Sequence, residues 1–379
     1  MNFRSKLAAL VGAIAIVGGG AIQAEAALLI GNSKSDSILV FDELTGTVVG
    51  DFTTPGLGGL RAPDAMTFGP DGNLYVSVGG DSGGSLLDPL YPQDSAVLRF
   101  SPTGEFLGVA AAGNGLARPY GNAFGLDGKL YVSSFRTNQI LRFDGATGAF
   151  LDVFASDNNN GFGTEDGLNG PNGLLFGPDG SLYVTTEGTV NNPDGTLAFK
   201  YASQILRYSP EQVAGLAPTT TPTVFVDQPA LLPENPGFVS LLGLALAPDA
   251  HSVYVSDFAG GIRRYDLAGQ LLEVLSTDYT GGNNFIGSLT FGAGPTRDNL
   301  YVAGFDRTTN LGSVLAFPQA QGKPTAFSGS LFTRDAFVRP IGITAVPAAA
   351  VPEPATIAGM GLAIAALGAR RRLQAQRKG

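Results

Sequence analysis

Six residues stand at one equivalent place in a repeating unit of this chain: Asp64, Tyr120, Asn172, Leu242, Gly287 and Ile341. Two of them carry hard oxygen donors, Asp64 in Pro63-Asp64-Ala65 and Asn172 in Pro171-Asn172-Gly173. A carboxylate and an amide are the donor types that hold Ca²⁺, a cation that takes six to eight oxygens. Two protein ligands leave most of those positions to water and backbone carbonyls, so the expectation is a weakly bound Ca²⁺ at Asp64 and Asn172. Tyr120 and Glu187 add a phenol and a second carboxylate that could orient a bound ligand. Other chemistry is absent. The chain has no cysteine and a single histidine, His251, in the turn Asp249-Ala250-His251-Ser252. Nucleophilic catalysis of the Ser-His-Asp kind needs a base within hydrogen-bond reach of its nucleophile, and His251 has no evident partner.

The elements that must position these residues are legible as a repeat. The unit Leu-Tyr-Val recurs as Leu74–Val76, Leu130–Val132, Leu182–Val184, Val253–Val255 and Leu300–Val302, with Leu28-Leu29-Ile30 as a sixth copy. Turns such as Gly-Pro-Asp-Gly at 69–72 and 177–180 precede it, where Pro presets one corner and Gly accepts the positive φ of the next. An apolar run lies before each turn, and a third alternating run follows each unit: 38–41, 97–100, 140–143, 205–208, 262–265 and 314–317. Turns such as Pro102-Thr103-Gly104 lead on to a fourth. Four short strands per unit, repeated radially, predict an all-β, six-bladed β-propeller over 27–347. The first unit lacks its first strand, and Arg339–Thr344 supplies an orphan one, so the C-terminal strand is expected to close the ring. With 54 glycines and 24 prolines the composition suits many strands and tight turns.

The strand order A to D within a blade puts the A–B and C–D hairpins on one face and the B–C and D–A connections on the other. The long segments 78–95, 156–170, 187–203 and 227–239 all fall on that second, top face, where the six equivalent positions also sit. Long loops on a rigid scaffold commonly carry function. These are acidic and contain aromatics, among them Asp81, Asp88, Tyr91, Asp94, Asp157, Phe162, Glu165, Asp166, Asp194 and Tyr201. The stretch Asp157–Gly161 lacks the alternating ligand spacing of a calcium loop.

The two ends lie outside the propeller. Residues 1–26 have Arg4 and Lys6, an apolar run from Leu7 to Ile22, and Ala24-Glu25-Ala26. That order describes a secretory signal peptide. Residues 348–379 hold Pro352-Glu353-Pro354, an apolar stretch 355–369 and then Arg370-Arg371-Arg372. This segment resembles the PEP-CTERM sorting signal. The resemblance implies a C-terminal sorting helix, an exosortase-type sorting enzyme as partner, and only transient contact with a membrane. The implied destination is the cell surface, outer membrane or extracellular matrix of a Gram-negative-type bacterium. The net charge of −9 excludes nucleic acid as an obvious partner, because phosphate binding needs the opposite sign.

Across 27–347 the repeats resemble the NHL and gluconolactonase-like propellers. That resemblance implies a divalent metal at the channel mouth, held by a glutamate, two asparagines and an aspartate. Asn172 matches the asparagine motif and Asp64 the aspartate motif, and nothing matches the glutamate. Streptogramin-lyase-like propellers rely on histidine, from which this chain departs. The expected function is therefore an exported binding or interaction module that meets a surface or matrix ligand, carbohydrate or protein, through its top-face loops. The alternative is a metal-dependent, gluconolactonase-like hydrolase with a degenerate mouth site.

Overall fold

The computed structural model describes residues 26–79, 95–156, 165–192, 194, 196–219, 222–233, 237–278, 284–320, 323–324 and 330–347. The N-terminal signal segment up to 25, the sorting segment from 348, and the loop residues Asp81, Asp88, Tyr91, Asp94, Asp157 and Phe162 lie outside them.

Each Leu-Tyr-Val run becomes strand B of a four-stranded antiparallel sheet, and there are six such sheets. The B strands are Ala27–Asn32, Leu74–Val78, Lys129–Ser134, Leu182–Thr186, Ser252–Asp257 and Leu300–Asp306, in blades 1 to 6. Ahead of them in blades 2 to 6 run the A strands Met66–Phe68, Pro119–Phe124, Pro171–Phe176, Leu241–Leu246 and Asn284–Phe291. Blade 1 takes its strand A, Pro340–Ala345, from the other end of the chain. Leu28 pairs with Ala345, Leu29 with Thr344 and Ile30 with Ile343, which closes the ring as the repeat pattern requires.

The core is divided by the architecture into seams between blades. The tyrosine of the repeat is the seam residue: Tyr75 packs edge-on to Phe124 of the next blade at 4.7 Å between ring centroids. Tyr131 meets Phe176 at 5.0 Å and Tyr254 meets Phe291 at 5.3 Å in the same way. Such pairs add to burial because a positive ring edge meets a negative face. The closing seam joins Leu28, Ile30, Leu39 and Phe41 to Tyr301, Ala303, Val314, Ala316 and Ile343.

The inner strands A are aimed by a bulge. Their register against strand B slips between Pro119 and Asn122, Pro171 and Leu174, Leu241 and Leu244, and Ile286 and Leu289. In blades 3 to 5 a hydroxyl from strand B fills the slip. Gly121 N–H donates to Ser133 Oγ at 2.7 Å, Gly173 N–H to Thr185 Oγ1 at 2.8 Å, and Gly243 N–H to Ser256 Oγ at 2.9 Å. A bulge re-aims the residue beside it, here turning positions 120, 172 and 242 toward the channel mouth. The glycine of the Pro-x-Gly motif is a packing requirement: a Cβ on Gly121 or Gly173 would run into the carbonyl of Asn172 or Leu242 on the next blade.

Candidate functional site

The A strands of blades 1 to 4 are entered through a proline, and the residue before that proline is bent into the left-handed region. Ala62 has φ 41°, Arg118 55° and Arg339 50°, with Gly170 at 62° in the fourth blade. Left-handed backbone is uncommon for residues with side chains. Here the repeated bend brings Ala62, Arg118 and Arg339 to the wall of the top-face cavity.

That cavity, about 200 Å³, sits at the channel mouth. It brings together Asp64, Tyr120 and Asn172, the repeat positions read as mouth residues, with Glu187 from the top-face segment 187–203. Leu242 and Ile341 line it as well, whereas the sixth equivalent position, Gly287, offers no side chain and its neighbour Ser288 takes the place. Asp64 lies just ahead of the short strand Met66–Phe68, held by its own N–H donating to the Ser77 carbonyl at 3.0 Å.

The polar groups form one connected arc. Asn172 Nδ2 donates to Glu187 Oε1 at 2.7 Å. Burial raises the Glu187 carboxyl above its ordinary pKa, while the Asn172 amide and the Arg118 charge pull it down. Burial likewise pushes Asp64 up to about 8, with Arg118 and Arg339 opposing and Glu187 reinforcing the shift. Arg118 is aimed by aromatic faces, its guanidinium 5.0 Å from the Tyr120 ring and 5.4 Å from Phe135. Tyr120 and Phe135 themselves meet edge to face at 4.9 Å.

A two-stranded hairpin, Thr189–Asn191 with Leu197–Phe199, covers one side. Buried Arg136 anchors it, Nη1 donating to Asn191 Oδ1 at 2.9 Å while Asn191 Nδ2 donates back to the Arg136 carbonyl. Leu197, Phe199, Phe258 and Phe135 complete the apolar part of the wall. Sequence reasoning missed Arg118, Arg339, Phe135, Phe258 and this hairpin. The pairs Arg118-Pro119 and Arg339-Pro340 at matching repeat positions were the available signal.

As cation ligands Asp64 and Asn172 have a thin donor set. Among the described residues no three or more acidic or histidine side chains gather to hold a metal. The Asn172 amide presents an N–H to Glu187, and two guanidiniums share the cavity. His251 is exposed in the A–B turn of blade 5, at the opposite end of the strand from Leu242.

The carboxyl of Asp64 makes stability depend on pH, with a sign that can be worked out. Its folded pKa lies above the ordinary value near 3.9, so the folded state holds that proton more tightly. Its contribution is full below about pH 4 and is lost as pH rises toward 8. Asp64→Asn is therefore expected to gain stability on wild type across that window, by a few kcal/mol at pH 7, with no gain at pH 4. Denaturant midpoints at both pH values check this; parallel curves for the two proteins would refute it.

Comparison with known proteins bears on the tail and on the fold. Residues 350–372 match the PEP-CTERM protein-sorting motif. Proteins with this motif are exported and sorted in Gram-negative bacteria with processing by an exosortase, so the chain is an exported propeller protein. A chain of a nidogen/laminin complex is 17% identical, with 85% of this chain and 98% of that one covered at a TM-score of 0.53. A protein of unknown function from Bacteroides caccae is 14% identical, covering 84% and 98% at a TM-score of 0.50. These likenesses show the fold alone. Among curated proteins none matches the chain.

Proposed function

We propose that this exported propeller is a binding module whose ligand seats in the channel mouth, between a cleaved signal peptide (1–26) and a sorting segment (348–379). The supporting observation is the convergence of Asp64, Tyr120, Asn172 and Glu187 with Arg118 and Arg339 in one cavity. A concave site with few convergent polar groups, perturbed carboxyls and apolar walls is the usual form of a small-ligand site. Hydrolysis would need a base ready to take a proton near neutral pH. Asp64, pushed up to about 8, is mostly protonated there and can donate a hydrogen bond to a ligand. A surface or matrix component, carbohydrate or protein, is the ligand such an exported module would meet.

The test is thermal unfolding of the purified protein against a panel of saccharides, peptides and divalent cations. Ser288→Trp, which fills the mouth, serves as the blocked control, with its own midpoint recorded first. A ligand at ~100 times its dissociation constant stabilises by about 2.7 kcal/mol. That stabilisation should appear in wild type and vanish in Ser288→Trp. A panel without any shift, or shifts indifferent to the block, would refute mouth binding. A Ca²⁺ shift abolished by both Asp64→Ala and Asn172→Ala would replace it with the cation site.

A further inference from the structure

Two arginines occupy matching positions on blades 3 and 1, and blade 2 between them carries Asp64. Arg118 and Arg339 each precede the proline that opens a strand A, and each holds a left-handed backbone at φ 55° and 50°. The same bend at Ala62 and Gly170 belongs to the join into strand A, and on blades 1 and 3 it carries an arginine to the cavity wall. Both guanidiniums are steadied by rings, Arg118 by Tyr120 and Phe135 and Arg339 by Phe305 at 5.7 Å. Leu242, Phe258 and Ile341 add apolar wall to the same cavity. The chain as a whole carries a net charge of −9, so paired cations at the mouth are no by-product of a basic surface.

Resting on the binding role proposed above, we infer that the mouth selects a compact organic anion: one carboxylate, sulfate or phosphate group, received by Arg118 and Arg339, on a body no larger than a single ring. A guanidinium suits such oxyanions because its planar fork donates two parallel hydrogen bonds. The body lies against Leu242, Phe258 and Ile341. The size limit follows from the cavity, whose 200 Å³ falls below the 300–1,000 Å³ range of sites for drug-sized ligands.

The other charged and titratable groups at the mouth are compatible with this ligand near neutral pH. Asp64 holds its proton there and can donate a hydrogen bond. Burial raises the Glu187 carboxyl above its ordinary pKa, and its Oε1 is already engaged by the Asn172 amide. Tyr120 offers a phenol at the rim.

Titration calorimetry on the full purified protein tests the inference with benzoate, phenyl phosphate, phenyl sulfate and glucuronate as probes. Benzyl alcohol and glucose serve as neutral counterparts. The expected result is that at least one anion class binds tenfold or more tightly than its neutral counterpart. Arg118→Met and Arg339→Met should each weaken that binding at least tenfold, and raised salt should weaken it in wild type. Comparison among the probes identifies which anionic group is read. A neutral probe that binds as tightly as its anion, and is lost in Ser288→Trp, would overturn the anion inference while leaving mouth binding intact. Anion binding unchanged in both methionine variants would overturn it as well. If no anion probe binds, the anion inference falls; if the wider panel also gives no shift, both conclusions fall.

Discussion

A chain that stops at Val338 should lose its single cooperative unfolding transition and aggregate. The missing strand, Pro340–Ala345, is the inner strand of blade 1, and its partner Ala27–Asn32 is left with an unpaired edge. Open edges recruit strands from other molecules. The truncation also removes Ile343 from the closing seam, where it packs with Leu28, Ile30, Tyr301 and Ala303. Gly342 goes too, and with it the contact against the Asp64 backbone that seats blade 1 on blade 2. The loss is on the order of the whole 5–15 kcal/mol that holds a domain together, because ring closure is what makes the blades unfold as one. Calorimetry and gel filtration of the truncated chain check this. A monomer with an unchanged midpoint would show that closure contributes nothing.

The repeat made the architecture legible because the same physics is written six times. Leu-Tyr-Val before an alternating run gave strands B and C within a residue or two in blades 1 to 5, and short by three to four residues in blade 6. Tyrosine recurs for a reason visible only in the structure: its ring spans the seam to the next blade's phenylalanine. Glycine recurs because neighbouring inner strands approach too closely for a Cβ.

The mouth was legible in part. Asp64, Tyr120 and Asn172 follow from counting along the repeat, since the bulge falls at one place in blades 3 to 5. Arg118 and Arg339 escaped because a residue before proline is ordinarily extended, which would point its side chain elsewhere. The left-handed bend is imposed by the join to strand A and has no local signal. The hairpin Thr189–Phe199 read as an unstructured loop, although Asn192–Thr196 between two apolar runs is turn chemistry. In the C–D connection of blade 4 a helical turn, Pro210–Val213, takes the place of the short turns of blades 1 to 3. Its capping box, Ser209 with Gln212, was a readable start signal.

The second large effect is expected at a buried ion pair beneath the top face. Arg263 and Asp257 are almost wholly inaccessible, and Nη1 donates to Oδ2 at 2.7 Å. Asp257 also accepts from the backbone N–H of Ser240 at 2.9 Å and of Ala259 at 3.2 Å, which fixes the start of strand A and the turn after strand B in blade 5. Arg263 Nη2 donates to the Ala230 carbonyl at 2.7 Å, so the same guanidinium holds the long D–A connection against the blade. Removing one member strands the other as an uncompensated buried charge. Breaking such a pair costs about 3–5 kcal/mol, whereas replacing both members with apolar groups is often close to neutral. Asp257→Ala and Arg263→Leu should therefore each lower stability by about that amount. The double variant Asp257→Ala/Arg263→Leu should lose clearly less than the sum, the signature of direct coupling. The Ala230 contact adds a second readout: amide exchange at 228–232 should speed up in Arg263→Leu but far less in Asp257→Ala, which leaves the Arg263–Ala230 bond available. Strictly additive losses in the double variant would mean that the pair is not what holds this corner of the blade.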